Sequence, residues 1–157
     1  MRSASVELTR VGVYVPTPPR SHMSSQGLPE VDVFPDHAFA LAQPRGRIDG
    51  DLLEAYGRAM AFDPRWRPGF TEVWDTSLCQ DVDVLPSDIT RMKALEEETV
   101  DLLRGSTTLI IVDRPLIRIT VDLYATIMKR FGREIAAVQT QADAASWLGI
   151  DRFPVLT

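Results

Sequence analysis

Most of the side chains that could do chemistry in this chain lie in EVWDTSLCQDVDVLPSDIT, residues 72–90. The stretch holds the single cysteine, Cys79, the carboxylates Asp75, Asp81, Asp83 and Asp88, and Ser87 ahead of a helical pattern. A cysteine attacks as its thiolate, which needs a cation or imidazole beside it. No histidine stands near Cys79 in sequence, and the surrounding aspartates would raise its pKa, so the thiol reads as inert. The carboxylates offer the oxygens that a hard divalent cation wants. Their simpler reading is solvated charge near a helix start, where the helix dipole favours anions. Ser87 reads first as the N-cap of the next helix, worth about 1 kcal/mol. Its second reading is an exposed hydroxyl whose phosphate would rest on the positive end of that dipole.

Other familiar chemistries are each missing a part. His22 sits in a Pro/Ser-rich stretch and His37 in a turn, whereas a catalytic triad or a zinc site needs histidines fixed by a rigid scaffold. Neither a GxGxxG nor a GxxxxGK[ST] phosphate loop occurs. DPRWRPGF places Arg65, Trp66 and Arg67 together, a pattern that could stack on a base; the plainer reading has the indole plugging the core edge of a loop while the arginines reach solvent. With 17 basic and 22 acidic residues the formal net charge is −5, which argues against broad binding to nucleic acid or to anionic membranes. The longest apolar run surrounds LIIV, far short of the roughly 18 residues of a spanning helix. Glu7, Arg10 and Gly12 break up any secretory h-region. One cysteine excludes an intrachain disulfide framework and suits a reducing cytoplasm. The expectation is therefore no catalytic residue, no cofactor and no metal.

The elements that must hold the 72–90 stretch are legible from periodicity. Residues 1–30, with VPTPPRSHMSSQGLP, read as a Pro/Ser-rich arm. Met23 reads as an alternative start that would make residues 1–22 an upstream extension. VDVF and AFALAQ, split by Pro35-Asp36-His37, predict a hairpin. Asp49 predicts a helix start, with Leu52, Leu53, Tyr56, Ala59 and Met60 at helical spacing. FTEVWDT is a short strand. From Ser87 a helix is expected, with Ile89, Met92, Leu95, Thr99, Leu102 and Leu103 on one face and Gly105 just past its end. TTLIIVD is continuously apolar, as a central strand covered on both sides should be. Pro115 opens a helix whose Ile119, Leu123, Ile127 and Phe131 recur at steps of four. EIAAVQT is another strand and QADAASWLG a last short helix. Strands alternating with helices predict an α/β fold. The expected sheet is mixed and mostly parallel, with about five strands, an N-terminal antiparallel edge hairpin and about four helices. The domain is expected over residues 31–150, with a tail at 151–157.

The order strand-strand-helix-strand-helix-strand-helix-strand-helix resembles the STAS fold of anti-anti-sigma factors and sulfate-transporter tails. The residues that carry the likeness are GRIDGDLLEAYGRAMAFDPRWRPGFTEVWDTS and the closing VQTQADAASWLG. The closer likeness is to stand-alone bacterial members of that superfamily, over about residues 31–149. In anti-anti-sigma factors an Asp-Ser pair ahead of a helix carries a phosphorylatable serine on a surface that docks a partner. The matching place here is Ser87, with Pro86 where the aspartate would stand and Asp88 or Ile89 where a small glycine is expected. The resemblance implies a non-enzymatic, cytoplasmic regulator that binds a protein partner through the loop 76–88 and the start of the following helix, with Asp75, Asp83, Ser87 and Asp88 as candidate contacts. A homodimer is compatible with it. The alternatives are a carrier of a small apolar or lipid-like ligand held against the sheet, and a hydrolase or transferase using Asp75 or Asp83.

Overall fold

A computed structural model describes residues 29–154. In chain order the elements are β1 (Val31–Phe34), β2 (Phe39–Ala42), β3 (Gly46–Asp49), α1 (Gly50–Ala61), β4 (Thr71–Asp75), β5 (Cys79–Asp83), α2 (Pro86–Glu98), β6 (Thr107–Ile111), α3 (Pro115–Lys129), β7 (Glu134–Val138) and α4 (Gln141–Leu148). The expected α/β architecture is present. Five strands form a mixed sheet in the order β1-β2-β4-β6-β7. β1 and β2 are antiparallel, and every other pair in this sheet is parallel. The arm expected over residues 1–30, with His22 and Met23, lies outside the described residues except for its last two positions. No helix among the described residues is long and apolar enough to cross a membrane.

Each parallel strand is laid beside the one before it and each crossover carries one helix, so crossovers of one hand put α1, α2 and α3 on one face. Alternation along the strands then sorts the side chains. Ala40, Ala42, Trp74 and Ile110 meet Tyr56 and Met60 of α1 and Ile117 and Val121 of α3. The opposite set, Phe39, Leu41, Val73, Leu109 and Ile111, meets Ala144 and Ala145 of α4 and Phe153. Helix ends follow local chemistry: the Asp49 carboxylate accepts from Leu52 N (2.9 Å), as its sequence position predicts. Thr140 and Asp143 form a reciprocal capping box at α4, which closes on Gly149 in the left-handed region (φ 70).

Three local expectations are corrected. The stretch after Asp75 is not wholly loop: β3 and β5 pair in parallel as a second, two-stranded sheet. They continue the chain beyond β2 and β4, which are themselves parallel neighbours, so their extensions emerge side by side. Arg47, Asp49, Gln80 and Asp81 leave these strands too polar and exposed to carry an apolar alternation. Second, α2 begins at Pro86, one residue before Ser87, and ends at Glu98 rather than near Leu103. Thr99 Oγ1 donates to Leu95 O (2.7 Å), and the amides of Leu102 and Leu103 both return to Thr99 O (2.9 Å). Third, α3 turns Ile117, Val121 and Met128 inward, while Leu116, Ile119 and Leu123 are 81%, 66% and 59% exposed. This helix is apolar on more than one side, and packing rather than periodicity chose the side that faces the sheet.

Candidate functional site

The fold separates the four candidate residues of the 72–90 stretch into two pairs. Asp75 is fully buried at the carboxyl end of β4. One of its oxygens accepts from Gln43 Nε2 (2.9 Å) and Gln141 Nε2 (2.8 Å), and the other from Ser77 N (3.0 Å). This carboxylate ties the residue after β2, the end of β4 and the start of α4 together; it is not solvated charge. Asp88 is also buried. It accepts from Leu85 N (2.8 Å) and from Arg91 Nη2 (2.7 Å), while its own amide donates to Leu85 O (2.9 Å). Asp88 therefore closes the start of α2, and Ser87 is not the N-cap. A Cβ added at Gly50 would collide with the Asp88 carboxylate, so the starts of α1 and α2 are in direct contact there.

Asp83 and Ser87 are the accessible pair. Asp83 ion-pairs with Arg47 across β3 and β5. Ser87 is exposed at the second position of α2, with no hydrogen bond to its hydroxyl among the described residues. Cys79 is fully buried and donates to Pro44 O (3.4 Å). Burial first, then the Asp75 charge, pushes its thiol up to about 12, the reverse of activation. Trp66 fills the core edge and donates Nε1 to Leu102 O (2.8 Å). Arg65 pairs with Asp32 and Asp63, and Arg67 Nη1 donates to Pro64 O and Trp66 O, so both arginines are occupied within the chain. His37 is exposed in its turn.

An apolar concave feature lies elsewhere. α2 packs on α1 and α3 packs on β7 and β5, but α2 and α3 scarcely meet. The gap leaves an apolar groove of about 130 Å³ over β4 and β6. Val84, Ile89, Met92 and Leu95 line one side, Val121 and Leu123 the other, and Trp74 and Ile110 lie beneath. Polar groups gather at its floor. Glu72 and Thr108 are cross-strand partners on β4 and β6, on the groove side of the sheet. Arg133, from the turn after α3, ion-pairs with Glu72; Thr108 Oγ1 donates to Glu72 Oε2 (2.9 Å) and accepts from Arg133 Nη2 (2.9 Å). Glu96 of α2 brings a second carboxylate, with Oε1 3.3 Å from Arg133 Nε.

That second carboxylate differs from the first. Glu96 accepts no hydrogen bond among the described residues, and Arg133 Nε is buried without a hydrogen-bond partner. Burial in the groove pushes the Glu96 carboxyl up to about 7, with Glu72 adding to the rise and Arg133 opposing it. The Tyr124 phenol, on the α3 side, is held above its ordinary range by burial first, then by Glu96 and Glu72. A carboxyl that titrates near neutrality beside an apolar groove can take or give a proton there, or hold a donor brought by a ligand. Sequence reasoning missed this cluster. Its one signal was Glu72, the one charged residue of FTEVW in a central strand; Glu96 lies in a run of three glutamates and looks solvated.

The described residues thus form a small α/β domain with an apolar groove on its three-helix face. No family model matches the chain, and no curated protein matches it. Among solved structures it is similar to an uncharacterized DUF3478-family protein with a SpoIIAA-like fold from Shewanella loihica PV-4. That match has 12% identity and a TM-score of 0.49, and covers 76% of this chain and 91% of the other. It is also similar to the anti-sigma factor antagonist SpoIIAA in its unphosphorylated form, at 16% identity and a TM-score of 0.43, over 77% of this chain and 97% of that one. These are distant likenesses of shape and bring no function with them.

Proposed function

We propose that this chain is a non-enzymatic, cytoplasmic regulator that binds a protein partner through residues 76–88 and the first turn of α2. The observation that carries this reading is the exposure of large apolar side chains on that surface. Leu78 and Leu85 are 41% and 56% exposed, and across the groove stands the exposed Leu123 of α3. Exposed apolar surface of this kind, rimmed by charge, marks interaction sites. Asp81 and Asp83 supply that rim, so the matching partner presents apolar side chains flanked by bases. Ser87 lies inside the patch, where a phosphate would add two negative charges at a helix start and change the partner's fit. Asp75 and Asp88 act on this surface from beneath, by fixing the backbone that displays it.

The test is a quantitative pull-down from native extract with wild type, Leu85→Asp and Ser87→Asp, with urea midpoints measured in parallel. A specific partner retained by wild type and lost by Leu85→Asp at an unchanged midpoint supports the reading. Identical capture by all three proteins counts against it. The second reading, a carrier of a small apolar or lipid-like ligand, is favoured by the α2/α3 groove. The hydrolase reading finds no support in the geometry, since the oxygens of Asp75 are occupied and Asp83 is paired with Arg47.

A further inference from the structure

We infer that the α2/α3 groove takes a small amphiphile with a cationic, hydrogen-bond-donating head, in its simplest form a primary alkylamine, whose head meets Glu96. The inference rests on the ligand reading of the groove given above and adds the chemistry of the head group.

The charges on the floor decide it. Glu72 and Arg133 neutralise each other, and Thr108 completes their hydrogen bonds. The Arg133 Nη1 reaches Ser106 O (3.4 Å), which leaves only Nε, 3.3 Å from Glu96 and off the hydrogen-bonding direction. Among the described residues the groups that face Glu96 are therefore Arg133 from the turn before β7, Glu72 from β4 and Tyr124 from α3. Tyr124 stays neutral. With Glu96 ionised, two carboxylates stand against one guanidinium, a surplus of one negative charge beside an apolar wall. An anionic head would add to that surplus. A ligand without a polar head would bury the Glu96 carboxylate with no hydrogen bond, a costly arrangement. An ammonium supplies both the missing charge and the missing donors.

Size follows from the walls. A cavity of about 150 Å³ lined by aliphatic and aromatic side chains holds one benzene, so the groove of about 130 Å³ accommodates a tail of about six carbons. Met92, Leu95 and Val121 are the side chains this tail would touch.

The experiment is calorimetry on the full chain at pH 8 with hexylamine, hexanol and hexanoate, for wild type and Glu96→Gln, with methyl NMR shifts of Leu95 and Val121 to locate each probe. Hexylamine is expected to bind about tenfold more tightly than hexanoate, as one extra favourable contact between partly buried charges would give. Glu96→Gln should remove about that factor for hexylamine and leave hexanol within about twofold. Hexanoate binding as tightly as hexylamine, or hexylamine unaffected by Glu96→Gln, overturns the head-group inference while the groove reading stands. If none of the three probes shifts the Leu95 or Val121 methyls, the groove reading falls and takes the inference with it.

Discussion

Replacing Glu96 with glutamine should stabilise this protein at pH 8 and leave it almost unchanged at pH 4. The Glu96 side chain is only 18% exposed, and its burial lifts the carboxyl from 4.5 in the unfolded chain to about 7 in the folded one. A raised folded value means that the native state binds the proton more tightly than the unfolded state. Stability is then present in full below about pH 4.5 and declines as pH rises through the folded value, because the unfolded chain ionises freely and the native state does so only at a cost. At 1.36 kcal/mol per pH unit the full penalty is about 3 kcal/mol, complete somewhat above pH 7. Glutamine fills the same space without a charge to desolvate, so its advantage over wild type should grow from near zero at pH 4 to about 3 kcal/mol at pH 8. Urea unfolding of both proteins at unit intervals of pH measures that difference directly. The comparison of the two proteins cancels the titration of every other carboxylate. A difference that stays flat from pH 5 to pH 8 would refute the reasoning, since it would mean that Glu96 titrates as a solvated acid.

Two further outcomes test the framework beneath the proposed surface. Asp75→Ala strips the partner from the Gln43 and Gln141 amides and from the Ser77 N–H at once, and should cost about 3 kcal/mol in urea unfolding; a loss below about 1 kcal/mol would mean that water replaces the carboxylate there. Ser87→Ala should leave stability within about 0.5 kcal/mol, because Ser87 is not the cap of α2, whereas removal of a capping hydroxyl would cost about 1 kcal/mol.

The surface elements show where sequence reasoning stopped. The β1–β2 hairpin, the Asp49 cap, the apolar LIIV strand and the left-handed Gly149 all follow from short-range chemistry, and each stands where the pattern places it. β3 and β5 left no such signal, since each is held by a neighbour that the main sheet delivers to it rather than by its own alternation. Ser87 illustrates the same limit at one residue. Serine before an apolar run is a good cap signal, yet Asp88 can reach back to Leu85 N, and Pro86 at the first helical position moves the start of the helix ahead of the serine.

What the sequence by itself determined was the class of the fold, the order of its main strands and helices and the inertness of Cys79, because periodicity, caps and the absence of a nearby imidazole are local properties. Only the tertiary structure decided which of the candidate residues are buried and which are exposed. Asp75 and Asp88 went inside the framework, and Asp83 and Ser87 stayed at the surface. The same packing drew together Glu72, Glu96 and Arg133, up to 61 residues apart, beneath a groove that exists because α2 and α3 each settle on other elements and leave space between them. Desolvation and charge pairing depend on what surrounds a group in space, and no spacing along the chain encodes that.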